Sequence, residues 1–582
     1  MAFSKITLNG STLMDVTQDT VNEENLLFGE TATKANGIRA TGILTFPYTT
    51  PEMHGAVGDG TTDDSAAIIE AVQTGLPVYF NATSVYAISA SIYPTTGGEN
   101  AELHGCGCQI KTLSNLDYVF RLTNAKVIEG FKINLNSHNA QYGIYSSITS
   151  DILIEDIEIY GLADTSSTTT SHMIHVTGGG TATIQNINIH TCTKRGNGSA
   201  ADDPGDFIGV YAEEYENAVV SNVRLKNNHN VDSSNNIIRE NCDGILLVND
   251  DTKSSAVIQN IYGFNFGSRV IKTKCPSVKI STVQAYSSGL DLASVIDVRD
   301  YVVSSTSYHP KGIITDCVLV NEYGTAADQS LIESSGDIQI ASCYLDSGTH
   351  NFGILNRRNA RISDCMMYHN GVQNIGITID IDSVYFSGGV FCAEYSSSTG
   401  LTSTSIRNCE LHFEQKYGIN TNFFQRLYGK AFYSNNKLYG YARIYIGSTA
   451  GETRIENCEF FDSITGDIID VYGGNLILKN ITFHVASGTT GIRAIYLRAS
   501  SVSCDADNVK VDSGFNYSFV GSGSLTCKNT DMNTVYANSM ASCYFYPEYY
   551  TSLPSRAQNG FQCLLTTDGK LYKYQSGSWS AV

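Results

Sequence analysis

The sequence predicts an all-β solenoid on three observations: a short repeated phrase, the spacing of its copies and a column of cysteines within it. The phrase reads apolar, any, Asn/Asp/Ser/Thr, apolar, any, apolar, and residues 154–159 are its first copy. Its shortest spacings are about 20 to 30 residues, the period of stacked β-solenoid coils. The polar position is occupied by Asp156, Asn186, Asn222, Asn260, Thr282, Asp316, Ser342, Asp364, Ser383, Asn408, Asn457, Asn480 and Asn508.

The repeated phrase also predicts local geometry. Alternation of apolar and other residues is typical of a strand with one buried face. The polar position interrupts that alternation by one residue, so the chain must bend there, and Asn and Asp tolerate left-handed backbone angles. Stacked coils would place equivalent residues above one another in parallel ladders. The position after the polar residue would form an interior cysteine column from Cys317, Cys343, Cys365, Cys409 and Cys458.

A β-sandwich with Asn-rich turns is the alternative fold, but it would show turn signals about every 8 to 12 residues. Three spacings in the repeat are longer than one coil needs. A weak copy at Tyr433-Ser434-Asn435 divides the spacing from Asn408 to Asn457, which leaves Asn186 to Asn222 and Asn222 to Asn260. Extra length in a solenoid forms surface loops, which often carry function. We therefore expect a binding or catalytic site near the 186–222 and 222–260 insertions.

Composition excludes some classes of protein. The net charge of −20 argues against nucleic acid as a partner, because phosphate contacts need basic patches. Apolar runs stay well short of the roughly 18 residues of a membrane span, and the N-terminus has no apolar secretory segment. The 15 cysteines fall mostly at apolar positions, which predicts buried, reduced thiols made in a cytoplasm. We expect neither a cofactor nor a metal ion.

Residues 53–68 read Met-His-Gly-Ala-Val-Gly-Asp-Gly-Thr-Thr-Asp-Asp-Ser-Ala-Ala-Ile. This resembles the opening motif of the pectate-lyase-like superfamily, which implies a right-handed, single-stranded parallel β-helix. Asp63 or Asp64 is predicted to cap a helix over 65–74. The apolar side of that helix, with Ala67, Ile68 and Ala71, would close the open end of the solenoid. A metal site made of Asp59, Asp63 and Asp64 is the alternative.

The first 46 residues form a separate segment of short β patterns. The order Thr-Leu-x-Asp-Val-Thr-x-Asp-Thr-Val over 12–21, then Leu-Leu-x-Gly over 26–29, resembles N-terminal segments of tail proteins from phages of Gram-positive bacteria. A flexible N-terminal arm is the plainer alternative. Together the two resemblances indicate a phage tail spike or receptor-binding protein. They imply a homotrimer in the virion, made in the host cytoplasm, that binds bacterial surface polysaccharide and joins other tail or baseplate proteins through residues 1–46.

The predicted domain order follows from these segments. Residues 1–46 would attach to the virion, 47–100 would hold the capping helix and first coils, and 101–540 would be the β-helix body. Residues 541–582 would form a small C-terminal β module, used for trimerisation or as a binding tip. Within that module, Asp568-Gly569 is a hairpin signal between two alternating segments.

Candidate catalytic residues lie between 241 and 272. Asn241-Cys242-Asp243-Gly244, Asp250-Asp251 and Arg269-Val270-Ile271-Lys272 are similar to motifs of polygalacturonase-type glycosidases. By that resemblance Asp243 with Asp250 or Asp251 would supply the catalytic carboxylates, and Arg269 and Lys272 would hold an anionic sugar. The same residues also fit a plain surface turn in an acidic chain.

Two further features carry expectations. The tyrosine-rich stretch 417–445, with Tyr428 and Tyr441, is a candidate glycan groove or subunit interface. His172 and His175 are three residues apart, which puts them on opposite faces of a regular strand, so a shared metal ion is not expected. The functional hypotheses are a glycan-binding tail spike, an active depolymerase (hydrolase or lyase), a secreted or cellular pectinase-like enzyme and a non-enzymatic structural virion protein.

Overall fold

The structure is a computed structural model with an interrupted set of described residues. It describes residues 5–8, 11–15, 23, 26, 30–34, 38–41, 46–94, 101–147, 149–166, 169–196, 207–235, 237–238, 242–249, 253–266, 269–286, 294–320, 330–348, 352–394, 403–414, 424–463, 466–488, 492–512, 514–515, 517–529, 537–538, 542–545, 548–550, 552–553 and 562–582.

Successive coils pair in parallel, so that three faces of the solenoid each form a parallel sheet, here named A, B and C. Sheet A contains Leu116–Thr123, Ala140–Ser147, Ser171–Thr177, Phe207–Glu213, Cys242–Val248, Arg269–Lys274, Ile296–Val298, Ser330–Ser334, Phe352–Asn356, Val372–Asn374, Cys392–Glu394, Asp467–Val471, Arg493–Leu497, Tyr517–Gly521 and Ala537–Asn538. This arrangement confirms the predicted parallel β-helix.

Sheets B and C are joined at the bend of the repeated phrase. Sheet B contains Val78–Tyr79, Glu102–His104, Val127–Glu129, Lys311–Thr315, Asp337–Ala341, Asn359–Ser363, Thr378–Asp382, Ser403–Arg407, Ser524–Lys528 and Ser542–Phe545. Sheet C contains Asp59–Asp63, Val85–Ile88, Gln109–Thr112, Lys132–Asn134, Val318–Val320, Tyr344–Asp346, Met366–His369, Tyr385–Gly388, Glu410–Phe413, Lys437–Gly440 and Glu459–Ser463. Ala163–Asp164 lies outside sheet C, because it pairs with Thr193 and Lys194 beyond a second bend at Thr191.

Nine long strands run through a bend and belong to two sheets. Those that join sheets B and C are Ile152–Tyr160, Thr181–Arg195, Asn217–Val231, Ser255–Phe266, Ser277–Tyr286, Asn475–Val485 and Ser503–Val511. Those that join sheets A and B are Phe424–Ser434 and Ile444–Glu456.

The bend geometry predicted from the repeated phrase is confirmed. All thirteen polar positions have φ between 52° and 57°, inside the left-handed region. Their side chains also bond between coils, as Asn222 Nδ2 donates to Asn186 Oδ1 at 3.0 Å and Asn260 Nδ2 donates to Asn222 Oδ1 at 3.1 Å. The ladder satisfies the amides and keeps successive bends in register.

The interior is one apolar cluster that extends from Ile68 in the helix to Phe519 and beyond. The cysteines after the bends are part of it: Cys317 and Cys343 are buried, and each thiol contacts the backbone carbonyl two residues earlier. Among the fourteen cysteines whose side chains are described, none forms a disulfide, and Cys106 is the exposed one. The thiols therefore act as small apolar side chains.

The predicted capping helix spans Ser65–Gln73, and it buries Ala67, Ile68 and Ala71. Asp64 precedes the helix but does not cap it, because its carboxylate accepts from Val57 N at 2.7 Å instead. Asp63 Oδ1 accepts from Ser65 N at 3.1 Å. Burial would raise the pKa of Asp63, yet hydrogen bonds from Ser65 and Ser89 lower that pKa to about 2. Both carboxylates therefore accept hydrogen bonds from nearby backbone amides, in agreement with the predicted structural role at the start of the helix.

Several short elements do not belong to the parallel ladders of sheets A, B and C, and most of the strands among them pair antiparallel. At the N-terminus, Lys5–Leu8 pairs with Ser11–Asp15, and Thr31–Thr33 pairs with Arg39–Thr41. The C-terminal sheet contains Glu548–Tyr550, Gln562–Leu565, Leu571–Gln575 and Ser578–Ala581, and its hairpin turns at Asp568-Gly569 as predicted. The remaining elements are Pro51–His54 (a 3₁₀ helix), Ile237–Ile238, Tyr301–Val303 and Thr306–Tyr308. Within the described ranges, no helix is long and apolar enough to span a bilayer.

Candidate functional site

Five neighbouring strands of sheet A share a local irregularity at the same level. Cα pairing skips the residues Gly143, Met173, Gly209, Gly244 and Val270. Side chains three residues apart in these strands therefore share the outer face. His172 Nδ1 lies 3.1 Å from His175 Nδ1, so the prediction that these histidines lie on opposite faces is wrong, because the strand does not alternate regularly there.

The first part of this outer face is aromatic. Tyr118 stacks on Tyr142 with ring centroids 4.8 Å apart and planes 8° from parallel, and Tyr145 lies 5.3 Å from Tyr142. The Arg121 guanidinium lies 4.9 Å from the Tyr118 ring centroid. All four side chains are half-buried. They form a continuous surface along the axis of the coils, which suits contact with a flat, hydroxyl-bearing ligand.

A carboxylate borders the aromatic surface. Glu213 accepts from the Tyr211 hydroxyl at 2.6 Å, and its other oxygen lies 3.0 Å from His175 Nε2. The bond to His175 lowers the pKa of Glu213, burial opposes this, and the Tyr211 bond adds to the lowering. Glu213 is thus ionised at neutral pH, with its side chain 32% exposed. It can accept hydrogen bonds or a proton from a bound ligand.

His172 lies behind this group and is almost fully buried. Burial, with a smaller effect of His175, holds the pKa of His172 well below its usual value, so its ring is neutral. A neutral His172 can form one hydrogen bond with His175, as donor or as acceptor. That bond can orient the His175 ring so that its Nε2 points toward Glu213.

The second part of the face is a buried charge network. Arg269 Nη1 donates to Asp243 Oδ1 at 3.0 Å, and Lys272 Nζ lies 3.9 Å from Asp243 Oδ2. Arg269 Nε also lies 3.2 Å from Asp297, which receives a 2.8 Å bond from Arg299. Asp243, Arg269 and Lys272 are each less than 5% exposed. These carboxylates and cations neutralise one another, as buried charges must.

Asp297 is the most deeply buried member of the network. It is fully buried, and its Oδ1 receives no hydrogen bond within the part of the chain that the structure describes. Burial, with the nearby Glu333 charge, raises the pKa of Asp297 to about 6, although Arg299, Arg269 and Lys272 oppose the rise.

The structure separates the residues that the sequence proposed as a site. It brings Asp243, Arg269 and Lys272 together, whereas Asp250 and Asp251 lie outside the described residues. Tyr441 packs half-buried against the core at the end of the sheet C strand Lys437–Gly440, many coils away. The backbone of Tyr428 lies in Phe424–Ser434, and its side chain is outside the described set.

Sequence reasoning missed Glu213, His175 and Tyr211 as a group. A partial signal exists, because polar or aromatic residues three apart occur at equivalent positions of three coils: Tyr142 and Tyr145, His172 and His175, and Arg269 and Lys272. Among the described residues no cluster of three His, Cys, Asp or Glu side chains could hold a metal ion.

Solved structures to which the chain is similar include phage proteins and a polysaccharide-modifying enzyme. Tailspike protein 3 of bacteriophage CBA120 matches at 13% identity over 92% of this chain and 69% of its own, with a TM-score of 0.28. The pre-mature bacteriophage phi29 gene product 12 matches at 14% over 85% and 73%, with a TM-score of 0.35. The A-module of mannuronan C-5 epimerase AlgE4 from Azotobacter vinelandii matches at 13% over 78% and 99%, with a TM-score of 0.29.

No protein-family model matches the chain, and no curated protein matches it. Similarities to structures at such low identity leave the function to be argued from the chain's own residues.

Proposed function

We propose that this protein is a tail-spike-type component of a phage virion, a homotrimer whose sheet A outer face binds bacterial surface polysaccharide. In this proposal the segment 1–46 joins the protein to other tail or baseplate proteins. The resemblance of that segment to phage tail proteins supports the virion location. The architecture supports the binding role, since stacked coils present a long regular surface to an extended polymer.

One observation carries the glycan-binding role. The half-buried rings of Tyr118, Tyr142, Tyr145 and Tyr211 follow one another along the coils and end at the ionised, one-third exposed Glu213. Sugar rings have apolar C–H faces and hydroxyl edges, so an aromatic surface beside a fixed carboxylate matches both.

A second candidate function is cleavage of the bound glycan, favoured by the contact between Glu213 and His175. An ionised carboxylate within hydrogen-bond distance of an imidazole can act as a proton acceptor. Hydrolysis with two carboxylates is less well supported, because Asp243 is buried and bonded to Arg269. Base chemistry at Glu213, as in a lyase, fits the described residues better.

Binding can be tested on purified capsular and wall polysaccharides from candidate hosts. Removing both rings in Tyr142→Ala/Tyr145→Ala should weaken binding about tenfold, since each aromatic contact contributes about 0.5–1.5 kcal/mol. The matched control is Tyr344→Ala/Tyr368→Ala, which removes two half-buried tyrosines in contact on sheet C. Equal binding by the two double variants would contradict the assignment to sheet A.

Cleavage is read in the same samples as release of new reducing ends or unsaturated products. Glu213→Gln should abolish release and leave binding nearly unchanged, because the amide keeps the shape and loses the base. If Asp243→Asn stops release while Glu213→Gln does not, the catalytic group is the one that the sequence motif predicted. A wild type that binds polysaccharide and releases nothing supports a purely adhesive spike.

A further inference from the structure

We propose that a groove on the outer face of sheet C, distinct from the sheet A surface, binds an acidic polysaccharide strand. The groove has a volume of about 1090 Å³ and crosses four successive coils. It lies on the coils that contain the two long spacings Asn186 to Asn222 and Asn222 to Asn260. His190, Arg224, Lys226 and Phe264 are among the residues that line it.

The charge of the lining is the first argument. The chain carries 57 acidic residues and a net charge of −20, yet the groove lining contains Arg224, Lys226 and His190 and not one carboxylate. Arg224 and Lys226 are exposed, and within the described ranges neither forms an ion pair with an acidic side chain. Glu158 in the preceding coil is already bonded to Asn188 and His190. The groove is therefore a locally positive site on an acidic surface.

Phe264 supplies the second argument. Further along sheet C, aromatic side chains stack on one another: His412 on Tyr439 at 4.3 Å and Tyr439 on Phe461 at 4.8 Å. Stacking covers the faces of those rings. Phe264 is 38% exposed and makes no ring contact among the described residues. Lys226 is its register partner one coil earlier, and Tyr286, its partner one coil later, has its ring contact with Tyr262 instead. The face of Phe264 is left open to a sugar ring beside the two cations.

The backbone around the groove is fixed on both sides. Asn222 and Asn260 bond to each other at 3.1 Å at one end of the strand segments, and Asn227 and Asn265 bond at 2.9 Å at the other. All four residues have φ between 48° and 57°. These two amide ladders hold Arg224, Lys226 and Phe264 on short, neighbouring segments of two strands. The backbone is therefore already ordered, and ligand binding would cost little conformational entropy there.

The chemistry selects one class of occupant. An aromatic face recognises a sugar ring, and the two cations recognise acidic groups carried along the strand, so the fit is to a polysaccharide of uronate type. A polyphosphate would use the cations without Phe264. This groove does not depend on the proposed sheet A surface, and each can fail without the other.

The test uses the full chain with polygalacturonate as probe, neutral dextran and inorganic polyphosphate as comparison polymers, and affinity electrophoresis as readout. Arg224→Gln/Lys226→Gln should weaken polygalacturonate binding roughly tenfold, since charge-assisted bonds are the stronger class. The control, Lys279→Gln/Lys437→Gln, removes the same charge from two exposed lysines elsewhere and should bind as wild type. Phe264→Ala should weaken binding and keep its salt dependence, which the double variant should lose.

Several results would overturn the proposal. Equal binding by the groove variant and its charge-matched control would show that the cations do not form the site. Binding of polyphosphate but not polygalacturonate, or tighter binding of dextran, would exclude an acidic polysaccharide. A change of sedimentation coefficient in Arg224→Gln/Lys226→Gln, but not in the control, would assign this face to contact between copies of the chain.

Discussion

At the scale of single residues, sequence and structure agree where the preference is local. A left-handed bend favours Asn and Asp whatever surrounds it, so Asn186, Asn222 and the other polar positions of the repeat could be predicted. The partners of Asp243 and Asp297 could not, because their ion pairs join strands that are distant in sequence, and their burial depends on the whole coil stack.

Asp297 gives a pH-dependent prediction. Its pKa is raised to about 6 from 3.8, so the folded state holds this proton more tightly than the unfolded chain does. The contribution of Asp297 to stability therefore falls as pH rises from about 4 to about 6, by on the order of 2–3 kcal/mol. Urea unfolding at several pH values should show wild type losing stability relative to Asp297→Asn across this window.

The control for Asp297 is an acid with the opposite shift. A bond from Asn408 lowers the pKa of Asp382 against a smaller effect of burial, so its stabilisation is present above its usual pKa and is lost only in acid. Wild type relative to Asp382→Asn should change little between pH 5 and 6, the upper half of the Asp297 window. A flat difference for Asp297→Asn over the same range would show that its carboxyl titrates normally.

At the scale of elements, sheets B and C were predictable and sheet A was not. The repeated phrase spans the bend between B and C and shows alternation on both sides, so its period indicates those strands directly. Strands of sheet A break their alternation at Gly143, Met173, Gly209, Gly244 and Val270, so no simple period marks them. The outward pairs that build the candidate site follow from that break.

Gly244 tests this irregularity. A Cβ added at Gly244 would overlap the Leu225 side chain and would lie 2.7 Å from Val270 O, so Gly244→Ala must displace backbone. We expect a loss of about 1–3 kcal/mol in the free energy of unfolding, typical of overpacking. Gly179→Ala is the matched control, because a Cβ added there would have no atom within 4 Å and because the backbone of Gly179 is not in the left-handed region. Equal denaturation midpoints for the two variants would mean that sheet A tolerates a regular strand at this level.

At the scale of the whole molecule, the described coils share one continuous core, and the α-helix Ser65–Gln73 lies at its N-terminal end. Each coil contacts its neighbours, so stability depends on unbroken stacking, and the first coils depend on the helix Ser65–Gln73. Parallel stacking could be predicted from the repeat alone. The side chains that cover each outer face could not, because they are set by insertions that the repeat does not encode.

The capping helix should therefore control the order in which coils open. Ile68 is fully buried in the core, and Ile68→Asp places a carboxylate there at a cost of roughly 3–5 kcal/mol. Because a coil contacts only its neighbours, hydrogen exchange should rise first in Val78–Tyr79 and Glu102–His104 and progressively less toward Thr181–Arg195. Ala66→Asp is the control: Ala66 is exposed in the first helical turn, where an acid favours the helix dipole, so exchange should match wild type. Uniform loss of protection along all coils in Ile68→Asp would show that the solenoid unfolds as one cooperative unit. The helix would then cover the N-terminal end of the core without setting the order in which the coils open.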